Sequence, residues 1–220
     1  MKFTKTKIEG LIIIEPRVFG DERGYFLESY NEKEFKKAIG KVSFVQDNES
    51  KSSKGVLRGL HFQKPPFAQA KLVRCIEGKV LDVLVDIRKN SKTYGQHFAV
   101  ELSGENKKQV FIPKGFAHGF VVLSDSATFA YKVDNYYNPK SERGLNYNDP
   151  SLEIDWKIDE KSITINKKDK SYPPFNSNYF DENGSLKNEY VALTLNEVMP
   201  SVNYAIVVST NAGLWRYLIG

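Results

Sequence analysis

The chain has few of the side chains on which metal centres and disulfide frameworks depend. Its 220 residues include one cysteine, Cys75, and three histidines, His61, His97 and His118. A single cysteine forms neither an internal disulfide nor a cysteine metal cluster, and the apolar neighbours of Cys75 predict a packed thiol rather than a nucleophile. The histidines are far apart in sequence and none belongs to a His-x-His pair, so we expect no metal site. The cysteine content favours a reducing compartment, the cytoplasm.

The chain also lacks the patterns of several binding classes. Neither the GxGxxG nor the GxxxxGK[ST] spacing of a phosphate-binding loop occurs. The opening residues, Met-Lys-Phe-Thr-Lys, do not begin a secretory signal, and the uncharged stretch 198–215 contains Pro200, Asn203 and Asn211, which argue against a membrane helix. The net charge of +5 comes from lysines scattered among acidic neighbours rather than from a basic stripe. We therefore expect neither nucleic acid nor a membrane as a partner.

What the chain does contain is a succession of short runs of β-forming residues separated by turn residues. We predict strands over 11–14, 25–30, 71–76, 79–87, 97–102, 108–112, 119–123 and 128–133. One helix is well defined, because Asn31 can cap it, Glu34 completes a capping box and Gly40 ends it. The pattern predicts a mainly β sandwich or barrel with a short N-terminal helix.

One of the three histidines stands in an unusual context. His61 belongs to the run 55–63, Gly-Val-Leu-Arg-Gly-Leu-His-Phe-Gln. An imidazole suits a general base near neutral pH, although a lone histidine in an apolar run is more often a satisfied core residue. Arg58, three residues earlier, favours a site for an anionic ligand. Residues three apart face opposite sides of a regular strand, so the two side chains share a cavity only if Gly59 makes the strand irregular.

The carboxylates of the predicted strand 79–87 are open to two interpretations. Asp82 and Asp86 lie on the same, otherwise apolar, face of that strand. Asp86 can mark the strand end and Asp82 can form a structural salt bridge, or a carboxylate here can serve a site directly. Asp169, in Lys-Lys-Asp-Lys, looks by composition like an ordinary surface carboxylate.

Longer motifs resemble those of one enzyme family. Residues 43–63, which include His61, closely resemble the signature of the dTDP-4-dehydrorhamnose 3,5-epimerases. Further segments match in order: Phe19-Gly-Asp-Glu-Arg-Gly-Tyr-Phe, Lys71-Leu-Val-Arg, Val80-Leu-Asp-Val-Leu-Val-Asp-Ile-Arg, Ile112-Pro-Lys-Gly-Phe-Ala-His-Gly-Phe and Tyr131-Lys-Val-Asp. The resemblance implies a cupin-type double-stranded β-helix, or jelly roll, that works as a homodimer without a metal or organic cofactor.

The resemblance also implies an isomerase that acts on a dTDP-sugar. The expected reaction is epimerisation of dTDP-4-dehydro-6-deoxy-D-glucose at C3 and C5, on the way to dTDP-L-rhamnose and polysaccharide. The family pattern matches His61 to the base, Asp169 to the carboxylate that orients it, Lys71 to the cation beside the developing enolate and Tyr131 to the proton donor. It matches the substrate-binding residues to Arg23, Phe26, Glu28, Gln46, Asn48, Arg58, His118 and Tyr136.

Several of these matches carry a finer expectation. Arg58 and Arg23 match residues that grip the diphosphate, and Tyr136 matches a residue that stacks on thymine, although a structural aromatic is nearly as good an interpretation. Arg23, Phe26 and Glu28 are expected to reach into the partner subunit's site. His97 has no matching role, and we expect it to be exposed.

Two parts of the chain depart from the family pattern. Ile165-Asn166 stand where the family has Leu-Ser before the orienting aspartate. The segment from about residue 185 has no counterpart, so we expect an epimerase domain over 1–184 and an extension of unassigned role over 185–220. Related enzymes that invert only C3 or move the ketone between C3 and C4 share the scaffold and the base. A non-catalytic sugar-nucleotide-binding cupin is less favoured, because the base, cation and donor are all present.

Overall fold

A computed structural model describes residues 1–175 and, beyond them, only the backbone of two paired strands, β14 (Ala205–Thr210) and β15 (Gly213–Leu218). Most of the described strands belong to two antiparallel sheets. The six-stranded sheet has the order β1 (Lys2–Lys5), β2 (Ile12–Glu15), β10 (Gln109–Ile112), β7 (Lys71–Glu77), β12 (Ser126–Val133) and β5 (Gln46–Ser53). The five-stranded sheet has the order β13 (Glu142–Gly144), β6 (Leu57–Gln63), β11 (Phe116–Val122), β8 (Lys79–Asp86) and β9 (His97–Ser103).

Smaller elements lie outside these sheets. The strands β3 (Val18–Asp21) and β4 (Gly24–Leu27) form a separate hairpin. The helices are α1 (Glu32–Ile39) and the single turn α2 (Lys167–Lys170), with a 3₁₀ turn at Glu160–Ser162. Within the described residues, no helix is long and apolar enough to cross a membrane.

The alternation of side chains along the strands decides what each face of a sheet contacts. Val80 and Leu84 of β8 belong to the apolar cluster between the sheets, together with Phe129 of β12. Val83, on the opposite face of β8, belongs to a second cluster in which Trp156 and its neighbours cover the outer side of the five-stranded sheet. The helix α1 packs Phe35 into a third cluster with residues of β2, β7 and β10. The result is a double-sheet jelly roll in which the five-stranded sheet is covered on its outer side, and α1 covers part of the outer side of the six-stranded sheet.

Most of the predicted elements are confirmed. The predicted strands are present, although the one expected over 25–30 ends at Leu27. The N-cap and the end of the helix are as predicted, since the Asn31 side chain accepts a hydrogen bond from the Glu34 backbone N–H at 3.1 Å and Gly40 follows the last turn. The predicted capping box is not completed, because the Glu34 carboxylate accepts instead from the amino group of Met1 at 3.1 Å. The expected boundary near residue 184 lies outside the described residues.

Candidate active site

The strand β6, which carries His61, is irregular at Gly59. The pairing of β6 with β11 shifts register next to His118, the residue opposite His61. Gly59 has a φ of 126°, and a Cβ built there would lie 2.5 Å from the Cα of Gly119, so the close approach of the two strands requires glycine. With this irregularity, Arg58 and His61 line the same cavity.

That cavity has a volume of about 240 Å³ and lies between the two sheets. Most of the chemically active side chains proposed from the sequence line it. They are Arg58, His61, Lys71, His118, Tyr131 and Asp169. The sheets bring together residues from four strands and the turn α2, which are far apart along the chain.

His61 and Asp169 form a hydrogen-bonded pair. The His61 Nε2 lies 2.8 Å from the Asp169 Oδ1, and the Asp169 Oδ2 accepts a hydrogen bond from the backbone N–H of Gly59 at 3.1 Å. Burial alone would raise the pKa of Asp169, but the hydrogen bonds from His61 and Gly59 outweigh it and hold that pKa below its usual range. Asp169 is therefore an ionised acceptor, so His61 donates through Nε2 and keeps the lone pair on Nδ1.

The turn α2 sets the position of Asp169. The Asn166 side chain caps this turn by accepting a hydrogen bond from the Asp169 backbone N–H at 2.7 Å. Asn and Ser are both good N-cap residues. The departure from the family's Leu-Ser at 165–166 therefore preserves the local geometry.

Lys71 and Tyr131 lie close together in the same cavity, with the Lys71 Nζ 5.9 Å from the centre of the Tyr131 ring. Burial lowers the pKa of Lys71 to about 8, against the opposing negative charges of Asp82 and Glu142. Burial also raises the pKa of Tyr131, although Arg58 opposes this shift. At neutral pH the phenol is consequently protonated and the lysine largely cationic.

A second histidine–carboxylate pair adjoins the cavity, which His118 lines. The His118 Nε2 lies 2.7 Å from the Asp82 Oδ1, and Asp82 is fully buried. Burial lowers the pKa of His118 below its usual value, although Asp82 opposes this effect. At neutral pH His118 is therefore a neutral imidazole. The other carboxylate of β8, Asp86, is held by Arg88 at the strand end.

The structure does not bring Arg23, Phe26 and Glu28 to the cavity of their own chain. Arg23 lies on the exposed turn of the β3–β4 hairpin and forms a salt bridge with Asp21 at 2.5 Å. Phe26 is 69% exposed on the same hairpin, and Glu28, just after it, accepts a hydrogen bond from Asn31.

Three further proposed residues lie beyond the cavity lining. Gln46 and Asn48 share one face of β5 and are joined by a hydrogen bond of 2.7 Å; Asn48 is the register partner of Tyr131. Tyr136 is exposed in the loop after β12. His97 begins β9 and is partly buried, so the expectation that it is exposed is wrong.

Sequence reasoning missed a cluster beside the His61–Asp169 pair. The Glu142 carboxylate accepts hydrogen bonds from the Tyr137 hydroxyl at 2.6 Å and the Lys168 ammonium at 2.8 Å. Lys168 lines the cavity, and its place next to Asp169 in the sequence was the available signal. Among the described residues, no three His, Cys, Asp or Glu side chains are grouped as metal ligands.

The two antiparallel sheets define a cupin-type protein. The cavity between them is lined by a histidine–aspartate pair, a lysine and a tyrosine, which are side chains suited to acid–base chemistry. A family profile described as dTDP-4-dehydrorhamnose 3,5-epimerase matches residues 5–177, and a second, described as GH3 family central domain, matches residues 171–220. The chain belongs to the dTDP-4-dehydrorhamnose 3,5-epimerase family and is an isomerase.

Individual relatives agree with the family profile. The dTDP-4-dehydrorhamnose 3,5-epimerase of Shigella flexneri is 58% identical over 159 residues, which cover 72% of this chain and 88% of that protein. The crystal structure of the dTDP-4-dehydrorhamnose 3,5-epimerase of Elizabethkingia anophelis is 57% identical with a TM-score of 0.77, and covers 80% of this chain and 96% of that one. The Legionella pneumophila dTDP-6-deoxy-D-glucose-3,5-epimerase, in complex with dTDP-4-keto-L-rhamnose, is 51% identical with a TM-score of 0.76 over 79% of this chain and 92% of that one.

Proposed function

We propose that this chain epimerises dTDP-4-dehydro-6-deoxy-D-glucose at C3 and C5 to give the L-rhamno 4-ketone. The observation that carries the proposal is the His61–Asp169 pair, which lies in one cavity with Tyr131 and Lys71. The ligand of the Legionella relative, dTDP-4-keto-L-rhamnose, has the chemistry of the expected product.

The reaction needs a base, a stabilised enolate and an acid. The C4 ketone acidifies the C–H bonds at both C3 and C5, and His61 accepts the proton through Nδ1 while Asp169 holds the ring and stabilises the imidazolium. Lys71 stabilises the negative charge that develops on the ketone oxygen. Tyr131 delivers a proton to the opposite face of the carbanion, which inverts the configuration.

The remaining proposed residues bind the substrate. Arg58, an always-charged donor fork beside the base, binds the diphosphate. His118 contacts the sugar from the base of the cavity, Gln46 and Asn48 hold the sugar or nucleotide along β5, and Tyr136 stacks on thymine.

The β3–β4 hairpin supports a homodimer. A two-stranded hairpin is marginally stable alone, and this one exposes Phe19 at 48%, Tyr25 at 58% and Phe26 at 69%. We propose that a second copy of the chain covers it, so that Arg23, Phe26 and Glu28 complete the partner subunit's site and Arg23 contacts the diphosphate there.

The organisation of the rest of the chain follows from the same proposal. The epimerase domain occupies residues 1–184, and residues 185–220 form an extension; the end of the family match at residue 177 supports this division. The free, buried thiol of Cys75 is compatible with the reducing cytoplasm, where the product would serve polysaccharide synthesis.

The proposal is tested by incubating the purified chain with the 4-ketosugar nucleotide after exhaustive chelation, with elemental analysis of the enzyme. We expect full turnover to a product whose proton NMR couplings report inversion at both C3 and C5. Inversion at C3 alone, or movement of the ketone to C3, would assign a sister activity. Tight binding without turnover would indicate a non-catalytic cupin, and activity restored only by one added metal would contradict a metal-free mechanism.

A further inference from the structure

The Asp82–His118 pair contains an atom that the hydrogen bonds of the fold leave unused. Asp82 is fully buried, and its Oδ1 lies 2.7 Å from the His118 Nε2. Its Oδ2 is the one buried side-chain polar atom without a hydrogen-bond partner in the part of the chain that the structure describes. A carboxylate held in a core with half of its acceptor capacity unused is costly, so its charge calls for an explanation other than packing.

The neighbouring Asp86 makes the contrast clear. It lies four residues along β8, is also fully buried, and uses both of its oxygens. Arg88, Ser91 and Thr93 all donate to it. Both oxygens of Asp86 are therefore used by hydrogen bonds within the fold. Asp82, in contrast, keeps one oxygen without a hydrogen bond, and its negative charge can act on a neighbouring group.

The positively charged group on which Asp82 can act is Lys71. Lys71 lines the same cavity as His118. Burial disfavours its ammonium form, and Asp82 is the strongest of the negative charges that favour this form. Glu142 of β13 acts in the same direction more weakly, and the neutral His118 of β11 and the phenol of Tyr131 on β12 complete its surroundings. The other charged or titratable groups of the cavity are Arg58 and His61 on β6 and Lys168 and Asp169 on α2.

We propose that Asp82 is a positioning residue that keeps Lys71 cationic, with His118 holding the Asp82 carboxylate in place beneath the cavity. The proposal rests on the function argued above, in which the Lys71 ammonium stabilises the enolate. A neutral amine at Lys71 would leave the developing oxyanion without its cation. Asp82 therefore contributes to the chemical step without touching the substrate.

The first test compares kcat against pH in charge-removing variants. Asp82→Asn keeps the size of the side chain and can still accept from His118. The basic limb of this profile is the fall of kcat at high pH as Lys71 loses its proton. Loss of the nearby negative charge should lower the pKa of Lys71 and move this limb toward neutral pH by about one unit. Asp86→Asn is the matched control, and it should lower thermal stability without moving that limb. Lys71→Arg should remove the limb from the accessible range, because a guanidinium stays charged.

Two results would overturn the proposal. One is a basic limb that stays in place in Asp82→Asn while kcat falls equally at every pH, as a packing role requires. The other is the same displacement of the limb in Asp86→Asn. Asp82→Ser is a second, smaller charge-removing variant, with the same expectation as Asp82→Asn.

A second measurement does not depend on turnover. The rate at which Lys71 reacts with a small amine-directed reagent, followed against pH by peptide mass spectrometry, reports its titration in the unmodified enzyme. We expect a midpoint near pH 8 in the wild type and a lower one in the Asp82 variants. A wild-type midpoint well below neutrality, or at an ordinary lysine value, would overturn the role of Asp82 even if no variant folds. If the wild type fails to turn over substrate but Lys71 titrates as expected, the proposed function fails and the charge coupling stands.

Discussion

At the scale of single residues, His61 depends on a partner 108 positions away. His61→Ala removes the base, and general-base catalysis is worth roughly 10²- to 10⁴-fold, so we expect kcat to fall by about that factor. Asp169→Asn should cost less, because the base remains but is poorly oriented and less basic. Nucleotide affinity, measured by calorimetry, should change little in either variant. Wild-type turnover in His61→Ala would show that the base lies elsewhere.

Tyr131 is predicted to act on one half of the reaction only. In Tyr131→Phe, His61 can still remove a proton from the substrate and return one on the same face. Substrate recovered from deuterium oxide should therefore contain deuterium at the exchanged carbon. Formation of the inverted product should fall sharply. The two rates are measured together by proton NMR. Equal loss of exchange and inversion would make Tyr131 a binding residue, and unchanged inversion would remove it from the mechanism.

Residue types and motifs predicted part of this site and left part undecided. His61 and Arg58 stand out by residue type, and the irregularity expected at Gly59 is confirmed by the register shift of β6 against β11. Asp169 is recognisable only through the family pattern, because its local sequence is that of a surface turn while the fold buries it completely. For Asp82, alternation gave the face but not the partner, which lies on another strand.

At the scale of elements, the short turn α2 is predicted to matter more than its length suggests. Asn166→Ala removes the cap that fixes Asp169, and a lost N-cap costs about 1 kcal/mol, so we expect kcat to fall about fivefold through a poorly placed carboxylate. Asp159→Ala removes the equivalent cap of the exposed 3₁₀ turn and serves as the control, with no effect on kcat. Equal kcat in both variants would mean that α2 does not position Asp169.

Elements were predictable where runs of apolar residues mark a buried strand and were missed where such runs are absent. The strands β7, β8, β11 and β12 carry buried apolar side chains and were predicted. The strand β5, Gln-Asp-Asn-Glu-Ser-Lys-Ser-Ser, gives no such signal, because it lies at a sheet edge and its inward side chains are polar. Its pairing with β12 depends on tertiary contacts that periodicity does not encode.

At the scale of the whole molecule, a site shared between subunits can be tested with mixed dimers. Arg23→Ala and His61→Ala homodimers should each be nearly inactive. In a mixed dimer, one site receives an intact His61 from one subunit and an intact Arg23 from the other. Statistical mixing should restore about a quarter of the wild-type activity. No recovery, with mixed dimers confirmed by native mass spectrometry, would contradict a contribution of the hairpin to the partner's site.

The labelling pattern of the wild-type product tests the central claim most directly, namely that one acid–base cavity inverts two carbons of one sugar. The full chain is given the 4-ketosugar nucleotide in deuterium oxide, and the product is quantified by NMR at each ring position. We predict one deuterium at C3 and one at C5, each with inverted configuration. At the same reaction time, label at either carbon should fall by about 10²- to 10⁴-fold when His61→Ala replaces the wild type. A product labelled and inverted at C3 alone, or an inverted product that carries no deuterium, would contradict the account.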